Sequence, residues 1–199
     1  MPMNTPTDRR KRKTHNAVLD AAERLFLRDG YRGTTIDMLA KEADVAVSSI
    51  YANFAAGKAD VYAALAWRTA SLHREDMPTS GAIVDSLDRY VAFHRDHPLA
   101  LRLLGLHDVE ASESDSIVEA KAAIDSVLGE IIDSMMSRVA EVGCDTDPRA
   151  LVLHAWTAIN GAVSLYQRRM IDAATFDTML KISRGDLVGH LRGDHDADR

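Results

Sequence analysis

Apolar side chains along this chain recur three and four positions apart, and alternating apolar and polar runs are missing, so the pattern predicts helices and no strand-rich domain. Val18, Ala22, Leu25 and Phe26 share one stripe of a first helix, expected from Thr14 to Arg28. Asp29-Gly30 stops it, because glycine suits the left-handed position that ends helices. A second helix, Thr35 to Glu42, buries Ile36, Leu39 and Ala40, with Thr34 as its hydroxyl cap and Asp37 as the capping-box partner three residues on. After a tight turn at Asp44 to Ala46, a third helix from Val47 to Asn53 buries Ile50 and Phe54. The run Ala55-Ala56-Gly57-Lys58 breaks it, and a long fourth helix continues to Arg74.

Beyond Met77-Pro78 the periodic segments lengthen. Helices are expected near 82–96, 98–106, 115–142, 148–169 and 173–192, separated by His97-Pro98, by the acidic stretch 110–116 and by the segment 144–148. The fold class is all-α. Three short helices, the second and third close together, match a helix-turn-helix arrangement, and an all-helical bundle follows. The expected organisation is a flexible basic arm at 1–13, a helix-turn-helix domain at 14–60, a helical domain for ligand binding and dimerisation at 61–192, and a polar tail at 193–199.

Composition narrows the class. With 199 residues, 46% hydrophobic and 27% charged, the chain is that of a globular protein, and no run approaches the ~20 apolar residues that span a bilayer. The N-terminal segment carries charge without an apolar stretch behind it, so no secretory signal is read there and a cytoplasmic protein without a membrane partner is expected. Cys144 is the single cysteine, which rules out an intrachain disulfide and a cysteine-based zinc cluster. There is no glycine-rich phosphate loop after a strand, no nucleophile elbow and no metalloprotease helix motif, so neither an enzyme nor a cofactor is expected. His94, His97, His107 and His154, with Asp96, Asp108 and Glu110 near in sequence, form no full ligand-spacing motif, and no metal is expected. The net charge of -6 is unevenly spread. Through residue 65 there are 10 Lys+Arg against 8 Asp+Glu, and in the rest 14 against 22, with five basic residues consecutive from Arg9 to Lys13. Only the head of the chain is therefore suited to a polyanion.

Residues 17–65 carry a set of spaced pieces: AAERLF, Gly30-Tyr31, Thr34-Thr35, LAKEADV, and IYANF followed by a lysine. They resemble the N-terminal domain of tetracycline-repressor (TetR) family transcriptional regulators. The resemblance implies a homodimer that binds a palindromic DNA operator as a repressor, and that a small-molecule effector in the C-terminal domain releases. Asp44 stands where such proteins usually have glycine; aspartate tolerates left-handed geometry.

Within that frame, Thr34 and Thr35 are candidate phosphate contacts, because a helix N-terminus presents free N–H groups and the positive end of a dipole. Tyr51, Asn53 and Lys58 are the further backbone contacts, Tyr51 through a hydroxyl that reaches outward while its ring packs. Base reading falls to Val47, Ser48 and Ser49, short side chains without the bidentate chemistry of arginine, glutamine or asparagine. Ala155, Ala158, Gly161 and Ala162 form a small-residue strip which, with Phe176, Leu180, Leu187 and Leu191, is the expected dimer interface through the last two helices. Trp67, Phe93, Leu104, His107, Met135, Trp156 and Asn160 are the candidate lining of the effector pocket. The alternative is an all-α metal- or ligand-binding bundle without a DNA-binding role.

Overall fold

The computed structural model describes residues 8–191, and the regular structure among them is helical. In chain order the helices are α1 (Arg9–Gly33), α2 (Ile36–Glu42), α3 (Val47–Tyr51), α4 (Lys58–Asp76), α5 (Ile83–Asp96), α6 (Ala100–Leu104), α7 (Asp115–Val142), α8 (Pro148–Gln167) and α9 (Ala173–Gly189), with a single 3-10 turn at Ala111–Glu113. Cys144 and Leu191 form an isolated backbone bridge. Aspartates cap three of the helices: Asp8 accepts from the Lys11 amide, Asp147 from those of Arg149 and Ala150, and Asp172 from that of Thr175. The chain divides into two compact units, one of residues up to Leu72 together with Leu99–Val127, the other of His73–Pro98 together with the residues from Leu128 onward. The division therefore differs from the boundary expected at residue 60: most of α4, all of α6 and the first part of α7 belong to the first unit. The expected polar tail, 193–199, lies outside the described residues, as do residues 1–7 of the expected arm.

In the first unit, Val18, Leu19, Leu25 and Phe26 of α1, Leu39 of α2, Ile50 of α3, Phe54, and Val61, Tyr62 and Leu65 of α4 are all buried. Phe26, Tyr31 and Tyr62 meet as a trio with ring centroids 5.2 to 5.7 Å apart, and His15 stacks on Phe54 at 4.8 Å. Such ring pairs add about 0.5–1.5 kcal/mol each to the burial of their surface. Two local expectations are corrected. First, α1 begins at Arg9 rather than Thr14, so Arg9 to Lys13 are its first turn and a half, exposed but helical, and not part of an arm. Second, the cap of α2 is Thr35, whose hydroxyl accepts from the Met38 amide at 3.2 Å. Thr34 is 1% exposed and its hydroxyl donates to the Gly30 carbonyl at 2.8 Å. Gly30 explains the shift: with φ 76 and ψ 165 it kinks α1, which resumes for one turn to Gly33, and the chain reaches the cap one residue later than the periodicity implied.

The second unit holds the end of α4, α5, the remainder of α7, α8 and α9. Its core includes Ile83, Leu87, Tyr90 and Phe93, Val139, Leu151, Ile159 and Val163, and Phe176 and Leu187. Arg138 is buried and wholly engaged: its guanidinium donates to the carbonyls of Pro78, Gly81 and Ala82 and to the Ser86 hydroxyl, which pins the α4–α5 connection to α7. The expected small-residue strip is only partly available. Ala155 and Ala162 face inward, as do Phe176, Leu187 and Leu191. Ala158 is half-buried, whereas Gly161, Ile182, Gly185 and Gly189 are exposed; apart from the adjoining backbone of its own helix, nothing stands within 4 Å of where a Cβ would be on any of the three glycines.

Two buried histidines stand out in this core. His73 is 0% and His94 2% exposed, and none of their four ring nitrogens has a hydrogen-bond partner. Burial pushes the pKa of His73 down to about 4 and that of His94 down to about 3, so both rings are neutral at pH 7.

Both the kink and the histidines can be tested through stability. Gly30 occupies a backbone region that only glycine adopts readily, so Gly30→Ala loses about 1–3 kcal/mol through strain alone, seen as a lower urea midpoint with an unchanged m-value. The unfolded chain protonates the two histidines near pH 6.5 and the folded chain only near pH 4 and 3, so stability is complete above pH 6.5 and falls as pH drops toward 4. Each histidine contributes about 1.4 kcal/mol of loss per pH unit in that window. Thermal unfolding at pH 7, 6 and 5 checks this: His94→Leu should show a shallower decline than the unaltered chain, and equal slopes would contradict it.

Candidate nucleic-acid interface and apolar pocket

The turn between α2 and α3 is built on Asp44, whose φ of 53 places it in the left-handed region, with the Asp44 amide donating to Lys41 and the Val45 amide to Ala40. A β-branched residue could not hold that turn cheaply, whereas aspartate can. α3 then turns Ile50 inward, fully buried, and leaves Ser48 exposed with Val47 and Ser49 half-buried beside it. Tyr51 is 51% exposed. Its ring lies over Gly57, where a Cβ would stand 3.2 Å from the ring carbon Cε1, so the glycine, itself at φ 64, is what allows the ring to lie flat there. The Tyr51 hydroxyl has no hydrogen-bond partner among the described residues. Thr35 is exposed at the start of α2. Thr35, Ser48 and Tyr51 are thus the three predicted contacts that offer polar atoms outward.

Three other predicted contacts are placed differently. The Thr34 side chain is buried, as described above, and cannot meet a phosphate. Asn53 is turned toward the protein: its Nδ2 donates to the Ser49 carbonyl at 2.8 Å and its Oδ1 is buried. Lys58 directs its ammonium inward, donating to the carbonyls of Tyr31 and Thr34 at 2.8 Å each and lying 4.3 Å from the centre of the Tyr31 ring. Burial lowers its pKa, with the charge of Glu113 acting in the opposite direction. The reason is common to the last two: each finds a backbone carbonyl with spare acceptor capacity at a helix end within reach. Two cations were missed. Arg32 and Lys41, in the last turns of α1 and α2, are exposed and form no ion pair among the described residues. Their positions flanking Thr35 and the turn would have marked them.

The first unit also holds an open cleft of about 280 Å³ lined by His15, Asn53, Phe54, Asp60, Trp67 and Arg68, among others. Trp67 belongs here, and so does not line the pocket of the second unit. Leu104 and His107 are likewise in the first unit, His107 exposed beside Gly105.

The second unit contains a smaller and almost wholly apolar pocket of about 70 Å³. Of the predicted lining residues, Met135 and Trp156 stand on its wall, and Asn160 reaches it indirectly, through the Tyr90 hydroxyl that donates to its Oδ1. Trp156 Nε1 donates to the same Tyr90 oxygen at 2.7 Å. Phe93 is not on the wall; it packs on His73 with ring centroids 4.5 Å apart. Sequence reasoning missed His73, Met77, Leu87, Tyr90 and Ile131. Their helical spacing is that of ordinary core residues, so only the buried histidine, a polar residue on an apolar stripe of α4, offered a signal. Among the described residues no three side chains of histidine, cysteine, aspartate or glutamate converge as metal ligands, and no helix is long and apolar enough to cross a membrane.

Residues 18–65 match the family described as bacterial regulatory proteins, tetR family. No curated protein matches the chain. Solved structures share its fold over most of its length. The regulatory protein TetR from Rhodobacter sphaeroides is 19% identical with a TM-score of 0.64, over 87% of this chain and 98% of that one. AibR, solved in complex with isovaleryl coenzyme A and operator DNA, is 16% identical with a TM-score of 0.62, over 86% and 96%. The fatty acid degradation regulator FadR from Bacillus halodurans is 20% identical with a TM-score of 0.60, over 90% and 96%. Residues 18–65 thus match the helix-turn-helix domain of the tetR family, and the chain shares its fold with solved structures that include regulators of that family.

Proposed function

We propose that this chain is a repressor that binds a palindromic operator as a homodimer and is released by a small molecule held in the apolar pocket of the second unit. The observation that carries the reading is the exposed group Thr35, Ser48 and Tyr51, set by the Asp44 turn within the very segment that matches the family. Arg32, Lys41 and the helical basic run Arg9 to Lys13 are exposed cations of the same unit. AibR, with its coenzyme A thioester and operator DNA, is a protein of the same fold that takes both kinds of partner. A cytoplasmic location fits that role.

Binding of this kind draws most of its affinity from phosphate contacts. Thr35, Tyr51 and those cations take that part, while Lys58 and Thr34 act from behind as the brace that holds Thr35 in place. Base reading by Val47, Ser48 and Ser49 is modest, because a valine can meet only a thymine methyl and a serine hydroxyl accepts several bases. DNA shape therefore carries much of the sequence preference. Dimerisation uses Ala158 and Gly161 of α8 with Ile182, Gly185 and Gly189 of α9, the face left open on the last two helices. Release requires an effector with higher affinity for the arrangement that does not bind DNA. α4 is the element that can couple them, contributing Lys58 to one unit and His73 to the other.

Operator selection followed by mobility shifts tests the DNA contacts. Thr35→Val and Tyr51→Phe should weaken binding several-fold and evenly across operators, whereas Ser48→Ala should alter preference at particular base pairs. Replacing Arg9 to Lys13 with glutamine should flatten the slope of log K against log salt by roughly 0.9 for each phosphate that is no longer neutralised. An intact dimer that binds no DNA at low salt would overturn the reading. The interface is tested separately: Gly185→Arg should convert the dimer to a folded monomer in sedimentation, with loss of operator binding, and a dimer that persists would place the interface elsewhere.

A further inference from the structure

We propose that the pocket of the second unit selects an uncharged, compact, mainly apolar molecule carrying one hydroxyl or carbonyl group, which hydrogen-bonds to His73. The inference rests on the reading of this pocket as the effector site and specifies its ligand.

Few polar atoms stand on the wall, and most of them are already paired. The Ser86 hydroxyl accepts from Arg138 at 2.7 Å. The Tyr90 hydroxyl accepts from Trp156 Nε1 and donates to Asn160 Oδ1, which satisfies all three groups together. What is left is the imidazole of His73, fully buried, on the wall, and without a partner at either nitrogen. The rings around it are those of Tyr90, Phe93 and His94, at centroid distances of 5.2, 4.5 and 5.9 Å, and these supply no hydrogen bond to it. A neutral imidazole has one N–H to give and one lone pair to fill. A hydroxyl can meet either nitrogen and a carbonyl can meet the N–H, so one such group on the ligand removes a standing deficit.

Charge is disfavoured by the same wall. No lysine, arginine, aspartate or glutamate lines the pocket, and an ion taken into an apolar wall without a counter-charge loses its hydration unrepaid. The coenzyme A thioester bound by AibR carries phosphates that nothing on this wall could neutralise. Size is limited too. A cavity of roughly 150 Å³ accepts benzene, and this one is about 70 Å³. Met77 and Met135 on the wall are unbranched and adaptable, so moving side chains bring a single ring or its equivalent within the pocket's reach.

Four probes of one size separate the alternatives: benzyl alcohol, toluene, benzoate and benzylamine, titrated calorimetrically into the full chain without DNA at pH 7. Benzyl alcohol should bind about tenfold more tightly than toluene, the worth of one buried hydrogen bond, and the two ions should bind more weakly than either. In His73→Leu the preference of alcohol over toluene should vanish while toluene still binds. Because that variant could lose its fold, the same contact is read in the unaltered chain by nitrogen NMR of labelled histidine, where the His73 ring signals should shift with benzyl alcohol and far less with toluene. Tighter binding of benzoate or benzylamine, equal binding of alcohol and toluene, or binding of none of the four at millimolar concentration would overturn the inference. Failure here is distinct from failure of the regulator reading: a chain that binds its operator but prefers benzoate refutes only the ligand class, and one that binds benzyl alcohol but no DNA refutes only the regulator.

Discussion

The ammonium of Lys58 is the hub on which the first unit depends. Gly30 breaks the carbonyl ladder of α1, and the groups released by that break are closed by two side chains: the Thr34 hydroxyl on the Gly30 carbonyl, and Lys58 on the carbonyls of Tyr31 and Thr34. A cation at the negative end of a helix is favourable in itself, and the face of Tyr31 adds to it. Since Lys58 is also the first residue of α4, one charge fixes the end of α1, the approach to α2 and the start of α4. The position and tilt of α3, whose residues lie between those anchors, are set by the same tie. The Tyr31 ring adds a further brace, its hydroxyl donating to Glu113 at 2.9 Å.

The second unit is organised on the opposite principle. Where the first closes the carbonyls at the α1 kink with side chains, the second leaves two imidazoles unanswered while surrounding groups pair with one another. Arg138 shows that this is not a want of donors: a buried guanidinium serves three carbonyls and a hydroxyl within the same unit. His73 and His94 are thus isolated by geometry, on rings whose neighbours are largely aromatic.

Much of the architecture was legible from periodicity. The third and the seventh to ninth helices begin within a residue of where apolar spacing and punctuation put them; for the last two, Pro148 and the caps Asp147 and Asp172 are local signals with local causes. The start of α1 was not legible, since the basic run has no apolar stripe and only the Asp8 cap marks it. The site was legible by residue type and illegible by direction. Thr34 and Thr35 are adjacent and chemically alike, yet one is buried against the kink at Gly30 and the other stands exposed as the cap of α2. Asn53 and Lys58 carry suitable donors for phosphate, but carbonyls freed by turns took them first. Trp67, Leu104 and His107 share the residue character of a pocket wall but belong to the first unit, a distinction of long-range packing that spacing does not encode.

The unpaired histidines have a bearing on how long the protein lasts. Two buried histidines with unsatisfied ring nitrogens keep the folded state less stable than its apolar core would make it. Any molecule that fills the pocket and answers one of those nitrogens deepens the native well by mass action, in proportion to the logarithm of its concentration over its dissociation constant. Opening, and with it exposure to proteases, declines by the same factor. Occupancy and lifetime are then one variable: a molecule that binds there also changes how much of the protein there is.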